Sequence, residues 1–68
     1  MEYRVEIYFI EKGKLQAEII YEGEDINEGI HQETLVRERL GDSFIHSKWY
    51  GKDKDCKVRK NTWIELLW

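Results

Sequence analysis

An α+β fold, with one helix packed on a mainly antiparallel four-stranded sheet in ββαββ order, is predicted by three observations on this sequence. Apolar residues alternate over 2–11 and again over 15–22, the two-residue period of half-buried strands. A helical period takes over between Asp25 and Leu40. Past Gly41 the β-prone residues return. With 68 residues, no proline, no low-complexity run and no linker, residues 1–68 read as one small domain.

In the first strand Tyr3, Val5, Ile7 and Phe9 share one face and Glu2, Arg4 and Glu6 the other. The second strand repeats the pattern with Leu15, Ala17, Ile19 and Tyr21. Lys12-Gly13-Lys14 between them reads as a three-residue hairpin loop, which pairs Phe9 with Ala17, Ile7 with Ile19 and Val5 with Tyr21. A two-residue loop would set Ile7 against Glu18, so the hydrophobic pattern selects the longer one. Asp25 followed by Glu28 resembles a capping box, and Ile26, Ile30, Val36 and Leu40 form one helical stripe that Gly41 ends. Gly29 costs about 1 kcal/mol in a helix interior. Leu35 lies off the stripe, and together these place the start of regular helix near His31. Residues 43–50 form the third strand, 51–55 a turn, and Cys56 to the terminus the last strand, with Ile64, Leu66 and Trp68 opposed to Trp63 and Leu67.

This order resembles the β-grasp-like arrangement of small bacterial immunoglobulin-binding domains. The likeness lies in the succession of elements and implies a helix across a sheet of two hairpins; it carries no function.

Stability must come from side-chain packing, because the single Cys56 can form no internal disulfide. Three Trp, four Tyr and two Phe supply the apolar area. The opening Met1-Glu2-Tyr3-Arg4 has neither the basic start nor the apolar stretch of a secretory signal, so none is expected, and no apolar run is long enough to span a membrane. A cytoplasmic protein is expected, without cofactor or metal.

Catalysis is not expected. Cys56 lacks a base within reach, since a hairpin centred on Asp53 sets His46 several residues away from it. His31 and His46 with Glu28 or Glu33 are the candidate metal ligands, but a helical His flanked by acids is common by chance, and two histidines with one thiol make no standard zinc set. Glu22, Glu24, Asp25 and Glu28 sit where a helix start attracts negative charge. The five glycines are scattered and cradle no phosphate.

Charge is more informative. Residues 1–42 hold five Lys/Arg against eleven Asp/Glu, whereas 43–68 hold six against three. Both faces of the expected sheet are partly apolar, and one helix can cover only one of them. The first functional expectation is therefore a non-enzymatic protein-binding module, an inhibitor or regulator of the kind small phage and plasmid proteins often are. It acts by stoichiometric occupation of a partner's surface. Tyr8, Ile10, Ile20, Trp49 and Trp63 are its expected apolar contacts, and Glu22, Glu24, Asp25 and Glu28 an acidic edge that steers a basic partner, including a nucleic-acid-processing enzyme. A homodimer is a second use of the same apolar face. The alternative is a weak nucleic-acid binder using hairpin 43–60, with Lys48, Trp49, Lys57, Arg59 and Lys60 in contact. A pI near 5.3 weighs against it.

Overall fold

Lys12 and Gly13 reverse the chain with positive φ at both positions, 54° and 75°, the signature of a type I′ turn, whose twist matches the strands it joins. They connect β1 (Glu2–Glu11) to β2 (Lys14–Gly23), followed by helix α1 (Ile26–Leu40), a 3₁₀ turn (Gly41–Ser43), β3 (Phe44–Lys52) and β4 (Ile64–Leu66). The structure is a computed structural model that describes residues 1–53 and 62–67. The predicted ββαββ order and α+β class are those observed, in one antiparallel sheet ordered β2-β1-β3-β4.

The turn corrects the expected register. Two loop residues, not three, place Ile10 opposite Leu15, Tyr8 opposite Ala17 and Ile7 opposite Glu18. Leu15, Ala17 and Ile19 consequently share the outer face with Tyr8 and Ile10, while Gln16 and Glu18 take the helix side. A bulge then resolves the conflict between turn geometry and hydrophobic pattern. Val5 pairs with Tyr21 but Glu6 with Ile19, so Ile20 is the extra residue and the strand changes face there. Tyr21 thereby returns to the core side, as expected of it. A second bulge, at Ile45, interrupts the pairing of β1 with β3 between Tyr8–His46 and Phe9–Phe44.

Val5 and Ile7 on central β1 are fully buried, and among the described residues Val36 and Trp49 are the other buried apolar side chains. Each such side chain contributes roughly 1.5–3 kcal/mol by leaving water. Helix α1 starts at Ile26 and not near His31. Asp25 caps it, its carboxylate accepting from the N–H groups of Asn27 (2.9 Å) and Glu28 (3.3 Å). Half of the capping box is replaced: the Asp25 N–H donates to the Tyr21 hydroxyl at 3.1 Å, and Glu28 accepts from Gln32 instead. Gly29 is no helix breaker. It is buried, and a Cβ there would lie 2.8 Å from Trp49 Cη2 and 3.1 Å from Tyr21 Cδ2, so its missing side chain lets the helix settle on the sheet. Ile30, expected on the stripe, is exposed, and Glu33 faces the sheet in its place.

β3 extends through Gly51 and Lys52, where a turn was expected. β4 pairs Leu66 with Trp49 and Ile64 with Gly51, so Ile64 and Leu66 face the core side as expected. The readings placed on residues 54–61 and on Trp68, Cys56 among them, lie outside the described residues.

Candidate functional site: the open face of the sheet

Helix α1 covers one side of the sheet, and among the described residues no element covers the other. Strand alternation sends Arg4, Glu6, Tyr8 and Ile10 of β1 to this open face. β2 adds Leu15, Ala17 and Ile19, and β3 adds His46, Lys48, Tyr50 and Lys52. The face divides into two zones.

At the turn end it is apolar. Leu15 is 62% exposed, Ile19 43% and Ile10 38%, with Ala17 and Tyr8 between them. Large aliphatic side chains grouped without cover are the unusual feature, since single exposed ones are ordinary.

At the other end charges and rings are tied to each other. Arg4 pairs with Glu22 at 3.2 Å, Lys48 with Glu65 at 3.6 Å and Lys52 with Glu2 at 4.0 Å. Trp63 lies under both Arg4 (4.2 Å to the ring centre) and Lys52 (4.7 Å). Between the zones Glu6 accepts hydrogen bonds from the hydroxyls of Tyr8 (2.8 Å) and Tyr50 (3.2 Å), and the His46 ring lies 4.7 Å from that of Tyr8. The bond to Glu6, aided by burial and the carboxylate's charge, pushes the Tyr8 phenol up to about 12. Burial first, then the Glu6 charge, raises Tyr50 as well.

For Tyr8 the folded value exceeds the ordinary 10.0, so the neutral phenol is the form that folding favours. Its contribution to stability is complete below about pH 10 and is lost as pH rises through about 12. Glu6→Gln should bring the Tyr8 titration, followed by the NMR shift of its Cζ, back toward the ordinary phenol range. An unmoved titration would show that Glu6 does not hold that hydroxyl.

The expected contact residues divide accordingly. Tyr8, Ile10 and Trp63 lie on the open face, whereas Ile20 is the half-buried bulge residue beside it. Trp49 must be removed from the contact set. Alternation sends it to the helix side, where it is 7% exposed, packs edge-on to Tyr3 and donates its indole N–H to Glu33 at 2.9 Å. The same burial removes it from the proposed nucleic-acid contacts. Of that set Lys48 is on the open face, while Lys57, Arg59 and Lys60 lie outside the described residues. The acidic group Glu22, Glu24, Asp25 and Glu28 is exposed, with Glu22 paired to Arg4, Asp25 capping the helix and Glu28 accepting from Gln32. Leu15, Ala17 and Ile19 were missed as surface residues. Gly13 was the signal, because a Gly at the second central position favours a two-residue type I′ turn and hence the shifted register.

A groove of about 630 Å³ opens between α1 and the β3–β4 pair, with Glu33, Ser47, Trp49 and Leu66 among its walls. Glu33 accepts from both Ser47 Oγ and Trp49 Nε1, which fastens the helix to β3. Among the described residues no three His, Cys, Asp or Glu side chains gather as a metal site, and no helix is long and apolar enough to cross a membrane. Comparison of the chain with protein-family models, curated proteins and solved structures gives no match.

Proposed function

We propose that this chain is a protein-binding module that occupies a partner's surface through the open face of its sheet, acting by stoichiometric blockade and not by turnover. The observation that carries the reading is the uncovered cluster of Ile10, Leu15 and Ile19, with Ala17 and Tyr8 between them. Burying such a cluster is favourable at roughly 25 cal/mol per Å² of apolar area. The adjoining zone of paired charges suits the polar margin of an interface.

The same pairing disfavours the nucleic-acid reading. Each described cation of the open face has a carboxylate beside it, and Glu6 stands at the centre. Phosphate contacts need cations free to displace counterions.

Leu15→Glu with Ile19→Glu tests the proposal, since both side chains are exposed and the fold should survive. Tagged wild type and this variant are used to capture partners from a native lysate, with and without nuclease. A protein held stoichiometrically by wild type after nuclease, and lost by the folded variant, supports the reading. Capture indifferent to the two substitutions, or abolished by nuclease, would overturn it.

A further inference from the structure

We infer that β2 is a self-pairing edge through which two copies of this chain join about a twofold axis at Ala17, making one continuous eight-stranded sheet. This goes beyond the open-face reading and does not depend on it.

β2 is an end strand of the sheet and ten residues long, whereas β4, at the other end, has three. The type I′ turn fixes which of its backbone groups are already used. Its closing hydrogen bond joins Glu11 and Lys14, so by alternation Lys14, Gln16 and Glu18 aim their N–H and C=O groups at β1. Leu15, Ala17 and Ile19 therefore aim theirs away from the sheet. Among the described residues no strand lies beyond β2 to receive them, and all three residues are exposed. Edges of this kind are usually blunted by short length, by charged side chains, by proline or by a bulge in the middle, and of these β2 has only the charges of Lys14 and Glu18 near its exposed stretch. Here the stretch from Lys14 to Ile19 is regular, has no proline, and reaches its bulge only at Ile20.

The side chains choose the register. Antiparallel self-pairing centred on Ala17 sets Leu15 against Ile19 of the second copy on the open face, twice, with the small Ala17 meeting itself at the axis. On the helix side Gln16 meets Glu18, an amide donor against a carboxylate. Centring on Glu18 would set two carboxylates against each other and run into the bulge. Centring on Gln16 would lose both Leu–Ile pairs, leaving Ile19 opposite Gly13 of the turn. The stretch carries one cation and one anion, Lys14 and Glu18, so two copies meet without net local repulsion. Pairing 15 with 19, 17 with 17 and 19 with 15 makes about six backbone hydrogen bonds. Such an isologous contact closes on itself as a dimer and cannot propagate. It also sets the two apolar clusters side by side on one surface.

Sedimentation of the wild-type chain from about 10 µM to about 1 mM should show a monomer–dimer equilibrium. Ala17→Pro removes an N–H that points out of the sheet, spares every bond to β1, and should weaken dimerisation at least about a hundredfold with the far-UV circular dichroism unchanged. Amide exchange in wild type gives a readout that does not depend on how the proline variant folds. The amides of Leu15, Ala17 and Ile19 should slow as concentration rises, while those of Gln16 and Glu18 stay constant. A wild-type chain monomeric throughout, or a dimer in which those three amides exchange as fast as at high dilution, would overturn the inference.

Discussion

Trp49→Ala is expected to remove most or all of the folding stability of this domain. The side chain is 7% exposed, sits beneath Gly29, packs edge-to-face with Tyr3 at 6.4 Å and holds Glu33 through its indole N–H. Emptying such a site typically costs 3–5 kcal/mol, roughly the whole stability that a core of this size supplies. Only Val5, Ile7 and Val36 accompany it as buried apolar side chains among the described residues, so the neighbours have little with which to close the gap. Urea unfolding followed by circular dichroism should show a broad, early or absent transition. Trp49→Phe keeps most of the ring but leaves Glu33 without its indole donor, and should cost about 1–2 kcal/mol. An alanine variant as stable as wild type would mean that the helix does not rest on this ring.

Substitution of Gly29 reverses a familiar expectation. In an exposed helix Gly→Ala stabilises by about 1 kcal/mol. Here the added methyl meets Trp49 at 2.8 Å and Tyr21 at 3.1 Å, and Trp49 is kept from backing away by its bond to Glu33. Overpacking of this kind costs about 1–3 kcal/mol, which exceeds the gain. Gly29→Ala should therefore lower stability by about 1 kcal/mol and Gly29→Val by about 3 or more, read as shifts in the urea midpoint. Stabilisation by alanine would show that α1 stands off from the sheet.

These two residues also mark where the sequence was legible. Alternation along β1 was readable because Val5 and Ile7 are flanked by the charged Arg4 and Glu6, even though Tyr8 and Ile10 put apolar side chains on the other face as well. Gly41 marked the end of the helix, whereas the signal of the Asp25 cap was outweighed by Gly29 and Leu35, which placed the start near His31. Gly29 was misread because propensity describes an isolated helix, whereas a close approach is a property of what lies opposite. Trp49 was misread because its neighbours Lys48 and Tyr50 suggest a basic, aromatic surface. The alternation His46, Lys48, Tyr50, Lys52 assigns those residues to one face and Trp49 to the other. The largest error, the register of β2, arose where two local rules disagreed. The hydrophobic pattern asked for three loop residues and Gly13 for two; the turn won, and the bulge at Ile20 restored the pattern only for Tyr21. Part of the open apolar cluster, Tyr8 and Ile10, was thus visible in the pattern, whereas Leu15, Ala17 and Ile19 follow only from the turn.

The central position of β1 matters for how the chain is made. β1 and β2 are joined by two residues and can zip within about 1–10 µs of leaving the ribosome. The other neighbour of β1 is β3, and the Glu6–Tyr50 contact between them spans 44 residues of sequence. At roughly 5–20 residues per second that separation takes a few seconds to synthesise. For that interval the nascent hairpin carries two bare edges, and Val5 and Ile7 have no helix above them.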